Sequence, residues 1–203
     1  ERLAERLGWH LLDSGALYRI VACEALDRGV ALDDAAALGN LGRRLDIRFE
    51  TASVLVDGRD RTRDIRTEAV SAAASGVAAL QPVRDAVLDL QRAQRRPPGL
   101  VADGRDMGTV VFPDAPLKVF LDAGLEERAD RRHRQLLERG ERSDRAAVLA
   151  ALRERDDRDR NRDAAPLRPA EDALIIDSSR LSADEVLDRV LVAAGAAGLI
   201  ESD

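Results

Sequence analysis

Four short apolar runs, each ending on an aspartate, constrain this chain more than any other feature. They are WHLL before Asp13, GLVA before Asp103, KVFL before Asp122 and LII before Asp177. Helical patterns separate them, and buried strands alternating with helices predict an α/β layer fold around a parallel sheet. Continuous apolar runs also predict strands covered on both faces. Ligands of such sheets gather beyond the carboxyl ends of the strands. Attention therefore falls on Asp13-Ser14-Gly15, on Asp103-Gly104-Arg105-Asp106, on Asp122, and on Asp177-Ser178-Ser179. Asp, Ser and Gly at strand exits also serve as caps and turns. That ordinary reading suits DSG and DSS as well as a ligand does. It suits DGRD poorly, because an Arg between two carboxylates is weak turn material.

The helices follow from apolar spacing and stop signals. The chain opens on a helical pattern, ERLAERL, without a cap or an initiator Met. ALYRIVACEALDR reads as a helix stopped by Gly29, and residues 34–46 as another. IRFE (47–50) and SVLVDG (53–58) read as paired strands, the second closed by an Asp-Gly turn. A helix is expected after about Thr67, and Pro82 opens a longer one over 82–96. LEERADRRHRQLLERG, residues 144–162 and residues 182–197 complete the set, with Pro166 and Pro169 framing a loop.

Charge then narrows the function. Net charge is −6, so bulk attraction to nucleic acid is not expected. No stretch approaches the roughly 20 apolar residues of a membrane span. A single cysteine, Cys23, excludes an internal disulfide framework and suits a reducing, cytoplasmic setting. His10 reads as structural and His133 as solvated, and no Cys/His cluster has metal spacing.

Of the 32 basic residues only Lys118, expected inside a strand, is lysine; compositional bias is the plain explanation. Yet arginines stand at chosen places: Arg19 one turn past DSG, Arg84 on the Pro82 helix, Arg105 in DGRD, and Arg128, Arg131, Arg132 and Arg134 on one helix. Guanidinium forks match phosphate oxygens in pairs, so the pattern points to a phosphorylated, highly anionic ligand.

RERDDRDRNR (153–162) carries five Arg, four acids, one Asn and no apolar side chain. On a helix Arg155, Asp159 and Arg162 share a face at i, i+4 and i+7. Such a face offers two cationic forks around a carboxylate acceptor. The alternative is a solvated helix laced with ion pairs of about 0.2–0.5 kcal/mol each. A basic RNA-binding helix fits poorly, since the charges nearly cancel.

WHLLDSGALYR, DGRDMGTVVFPDAPLKVFLDA and RERDDRDRNR, in this order and spacing, resemble the bacterial cytidylate (CMP) kinase family over nearly all of the chain. The resemblance implies a P-loop NTPase-type three-layer α/β core with a parallel sheet. It divides the chain into core at 1–36, 91–130 and 164–203, a monophosphate-binding region with a small antiparallel insert at 37–90, and a helical lid at 131–163. It implies transfer of phosphate from ATP, brought with Mg²⁺, to CMP or dCMP in a cytoplasmic monomer that engages neither membrane nor nucleic acid.

By the same resemblance Ser14 and Arg19 hold the acceptor nucleotide and its phosphate. Arg84, Arg105 and Arg162 lie on the phosphate side, and Asp106 accepts from a sugar hydroxyl. Ser75, Arg155 and Asp159 read the cytosine edge. Arg131 and Arg132 meet ATP phosphates, and together with Arg105 and Arg162 form the catalytic set. Asp103 holds a Mg²⁺-bound water, with no resident metal expected.

The family opens with a strand and a G-x-x-x-x-G-K-[ST] loop whose amides cradle phosphates. No such loop occurs in these 203 residues. The resemblance therefore implies that the first strand and loop are missing from this sequence, and that the chain as written transfers phosphate poorly. The alternative is a non-catalytic nucleotide-binding or scaffolding remnant of the same fold.

Overall fold

A computed structural model describes residues 1–49, 53–162 and 164–200. The chain folds as two compact units, one formed by residues 8–104 and the other by 1–7 with 105–203.

In the first unit β1 (His10–Asp13) runs parallel to β5 (Leu100–Asp103), with Asp13 opposite Asp103. Trp9 lies flat against the start of β5. A Cβ on Gly99 would sit 2.4 Å from the indole, so only glycine allows that approach. His10 is structural as expected, with its Nε2 3.0 Å from the Pro97 carbonyl. From β1 the chain enters α2 (Ser14–Arg28), which ends at Gly29 with φ 66. Leu17, Ile20, Val21 and Ala22 of α2 are essentially inaccessible. They pack among α3 (Ala35–Arg44), α4 (Glu68–Val77) and α5 (Gln81–Arg92). Side chains of Asp34 and Thr67 cap α3 and α4, and Pro82 sits in the first turn of α5.

The insert is a three-stranded antiparallel sheet: β2 (Ile47–Phe49), β3 (Val54–Val56) and β4 (Arg59–Asp60). Asp57 and Gly58 join β3 to β4 with φ of 49 and 74, the paired positive values that an Asp-Gly hairpin favours. The β4 strand was not expected. Glu50, expected to end the first of these strands, lies outside the described residues. The insert is tied to α2 by charge. Arg61 donates to buried Glu24 at 2.8 Å, pairs with Asp27 and reaches Asp64 at 2.9 Å. Arg28 bridges Glu24 and Asp57.

In the second unit β6 (Val119–Asp122) runs parallel to β7 (Leu174–Asp177), with Asp122 opposite Asp177. A π-helical turn, 107–111, follows Asp106. The α6 helix (Leu125–Glu138) packs on α7 (Arg145–Asn161). Ser182 and Glu185 form a capping box at the start of α8 (Ala183–Ala196), where Asp184 pairs with Arg2 of α1 (Arg2–Leu7).

Three expectations need correction. Among the described residues the parallel strands form two separate two-stranded ladders, not one sheet. Two of the runs read as buried are also covered on one side only: in β7 Ile176 is 4% exposed while its neighbour Ile175 is 60% exposed, and in β1 Leu12 is buried while Leu11 is exposed. Alternation along a strand sends neighbours to opposite faces, and an apolar run does not reveal which face is covered. Lys118 lies just before β6, not inside it, with Nζ between the two Asp172 carboxylate oxygens at 2.9 and 2.8 Å.

Candidate functional site

The expected site residues fall in both units. In the unit of residues 8–104, Asp13 ends β1 and caps α2 by accepting from the Ala16 amide at 3.2 Å. Its other oxygen accepts from Arg19 Nη2 at 2.6 Å. A Cβ on Gly15 would lie 2.9 Å from Arg19 Nη1, so glycine makes the room in which that guanidinium folds back over the helix start. Ser14, the first residue of α2, is buried beside this pair.

Arg84 of α5 is buried too. It donates to the Ala78 carbonyl at 3.1 Å, and its guanidinium stands 5.8 Å from the centre of the Tyr18 ring. An aromatic face attracts such a cation and holds it in one place. Ser75 is half-buried on α4, which packs on α2 as α5 does. Three helices packed together thus carry Ser14, Arg19, Ser75 and Arg84. Asp103 is exposed at the end of β5. Asp13 and Tyr18 were not picked out as site residues. The Asp at a strand exit was visible in the sequence, whereas the lone Tyr on an apolar helix gave no signal.

In the unit of 105–203, the 153–162 stretch is helical as expected, but α7 ends at Asn161. Arg162 has left the helix with extended backbone (ψ 141), so it does not share a helical face with Arg155 and Asp159. Its side chain still returns to the same place. Arg162 Nη1 lies 3.6 Å from Asp159 Oδ1, and its Nε donates to the Ala165 carbonyl at 2.8 Å. Arg155 Nε stands 3.9 Å from Asp159 Oδ2. Arg105, from a different segment, brings Nη1 to 2.8 Å from that same oxygen.

Asp159 is 4% exposed, so three guanidiniums surround one carboxylate that water barely reaches. Even so, Oδ2 accepts no hydrogen bond of good geometry. The close ion pair with Arg105 offsets part of the cost of burying that acceptor, and a ligand donor would add the aligned hydrogen bond that the pair does not make. Asp106, next to Arg105, is buried as well, and its carbonyl accepts from the amides of Thr109, Val110 and Val111 in the π-helical turn.

A second ion pair was missed. Arg128 of α6 grips the buried Asp156 of α7 through both guanidinium nitrogens and donates Nε to the Ala123 carbonyl at 3.1 Å. Burial alone would raise the Asp156 carboxyl. The hydrogen bonds and charge of Arg128, with Arg160 and Arg105 behind them, outweigh burial and hold it below the usual carboxylate range. Only the charge alternation hinted at such a partner, without saying which Arg.

Arg131 holds local structure. It donates to Glu127 Oε1 at 2.9 Å and to the Ser178 carbonyl at 2.6 Å, bracing the turn after β7. Arg132 is half-buried beside it on α6. His133, expected in solvent, is half-buried with Nδ1 2.8 Å from Ser143 Oγ. Asp163, at the expected end of the lid, lies outside the described residues.

A cavity of about 390 Å³ opens at the carboxyl ends of β6 and β7, between Asp122, Asp177 and Ser179 on one side and Arg128, Arg153 and Asp156 on the other. Both signs of charge line it, which suits a polar ligand better than a bare polyanion. Among the described residues no three His, Cys, Asp or Glu side chains cluster as metal ligands.

Comparison with known proteins places these features in context. A family model described as "Cytidylate kinase" matches residues 1–195. The chain is 57% identical over 193 residues to a protein named "Cytidylate kinase" from Aeromonas hydrophila, covering 93% of this chain and 84% of that one. Proteins of the same name from Sodalis glossinidius and Pseudomonas aeruginosa are 55% and 53% identical, each with 93% of this chain and 85% of the relative covered.

Proposed function

The chain belongs to the cytidylate kinase family and is a phosphotransferase, and we propose that it moves the γ-phosphoryl group of ATP onto CMP or dCMP, giving ADP and CDP or dCDP. The relatives, kinases by name, lend no support to the reading of a non-catalytic remnant.

One observation carries the choice of base: the buried Asp159 carboxylate, with an oxygen that accepts no hydrogen bond and three guanidiniums around it. Cytosine presents an N4 amino donor beside N3 and O2 acceptors. Asp159 accepts from N4, while Arg155 donates to the acceptor edge. Uracil sets a carbonyl against the carboxylate, and a site built on buried polar pairing rejects such a mismatch strongly.

In the unit of 8–104, Arg19 and Arg84 take phosphate oxygens and Ser14 a nucleotide hydroxyl; in the unit of 105–203, Arg105 and Arg162 take phosphate oxygens and Asp106 a sugar hydroxyl. Tyr18 and the Ala78 carbonyl orient Arg84, and Asp13 orients Arg19, before any ligand arrives. Arg131 and Arg132 serve the ATP phosphates. For Arg131 this means exchanging its carbonyl partners at Ser178 and Leu181 for phosphate oxygens. The region 37–90 is the monophosphate-binding part and 131–163 the lid.

Phosphoryl transfer needs alignment and neutralised charge more than covalent help, and the guanidiniums supply both. Magnesium would come with the ATP substrate, and Asp103, exposed at the end of β5, would hold one of its waters. The protein works as a cytoplasmic monomer. No described helix is long and apolar enough to cross a membrane.

The test is Asp159→Ala, with CMP, UMP and ATP affinities measured by calorimetry. CMP binding should weaken about 10–100-fold, the loss of one charge-assisted hydrogen bond, while ATP binding changes less than about twofold. An equal fall for CMP and UMP removes Asp159 as the reader of the base.

A further inference from the structure

We propose that the Arg105–Asp159 ion pair makes discrimination between cytosine and uracil conditional on the nucleotide's phosphate. The inference rests on the base-reading role of Asp159 and the phosphate role of Arg105 given above, and it adds a coupling between them. Arg105 Nη1 is 2.8 Å from Asp159 Oδ2, nearer than Arg162 (3.6 Å, to Oδ1) or Arg155 (3.9 Å). Arg155 belongs to α7 and Arg162 follows it directly, whereas Arg105 comes from the segment leading into the π-helical turn. The two sides of the pair differ in access. The Arg105 side chain is 34% exposed and that of Asp159 only 6%. A ligand therefore reaches the cation first.

A phosphate dianion matches a guanidinium with two parallel, charge-assisted bonds, whereas the Asp159 contact lacks hydrogen-bond geometry at Oδ2. The phosphate is the better partner and draws Arg105 away. Asp159 then loses its nearest neutralising charge while still buried, keeping only the longer contacts of Arg162 and Arg155, and a buried carboxylate so weakly compensated is costly. An amino group at position 4 of the base relieves that cost; a carbonyl aggravates it. Without a phosphate Arg105 stays, Asp159 remains neutralised, and the site distinguishes the two bases weakly. Only a nucleotide, not a nucleoside, exposes the reading group at full charge.

The test compares four ligands by titration calorimetry on the wild-type protein at fixed ionic strength: CMP, UMP, cytidine and uridine. The CMP-over-UMP affinity ratio should exceed the cytidine-over-uridine ratio by about tenfold or more, a difference near 1.4 kcal/mol. Saturating inorganic phosphate supplied separately should raise the nucleoside ratio toward the nucleotide one. Arg105→Met removes the guanidinium and should make the nucleoside ratio high without any phosphate. If that variant does not fold, the wild-type ratios and the phosphate addition still decide. Equal ratios for nucleosides and nucleotides overturn the coupling and leave the base-reading role of Asp159 standing. A CMP-over-UMP ratio near one overturns the base-reading role itself and the coupling with it.

Discussion

Helices α2 and α7 are nearly equal in length, 15 and 17 residues, yet opposite principles hold them. Helix α2 buries Leu17, Tyr18, Ile20, Val21, Cys23 and several alanines, with one charged residue, Glu24, among them. Helix α7 buries two side chains completely, and both are aspartates, Asp156 and Asp159. Apolar burial is non-directional and nearly indifferent to ions, so it places α2 firmly and keeps it there. Ion pairs depend on angle, on protonation and on competing charges, so what holds α7 is sensitive to pH and to salt. Arg19 and Ser14 stand on the helix held by apolar burial, and Arg155 and Asp159 on the one held by charge.

The sharpest way to break this contrast is to empty the core of the first helix. Ile20 is 0% exposed. Ile20→Ala should cost about 2–5 kcal/mol in urea unfolding, through lost transfer energy and a residual cavity. A cost below about 1 kcal/mol, within the range of ordinary surface changes, would mean that burial does not set α2.

Next comes the charged counterpart. Asp156→Ala strands Arg128, which is partly exposed and recovers some water, so the expected loss is about 1–3 kcal/mol. Its signature is faster hydrogen exchange in α7 with little change in α2. Acid sharpens the same point. The folded pKa of Asp156 lies below its unfolded value of about 3.9. The stabilisation is therefore fully present above that pH and disappears as pH falls through the lower folded value. Carboxyl titration followed by NMR should show Asp156 titrating below about 3.9, and Arg128→Met should move it upward. No movement in Arg128→Met would refute the pairing as the cause.

The smallest effect belongs to the exposed charges at the start of α7. Arg145 pairs with Glu126 and Asp130, all three well exposed. Exposed pairs contribute little, so Arg145→Ala should leave the melting temperature within measurement error. A clear drop would show that exposed charge, and not only the buried pairs, positions α7.

Features that depend on a few adjacent residues were legible in the sequence. The Gly29 stop, the Asp57–Gly58 turn, the Pro82 helix start and four Asp-terminated strands each rest on local backbone preference. The family likeness, and with it the choice of Asp159 and its neighbours, came from long motifs in fixed order. What the sequence could not disclose lies in distant pairings. Nothing local says that Arg128 chooses Asp156, that Lys118 is occupied by Asp172, or that Arg131 braces the turn after β7. In a chain this rich in Arg, Asp and Glu, many partners are chemically equivalent, and only three-dimensional proximity selects among them.

The order of residues by itself determined the alternation of strands and helices, the turns between them and the cast of charged groups, because short-range sterics and hydrogen bonding fix those. Tertiary structure alone decided which face of each strand is covered, that α7 stops one residue before Arg162, and that Arg105 meets Asp159. Those outcomes depend on how segments far apart in the chain pack, and packing distances are not written in any local pattern.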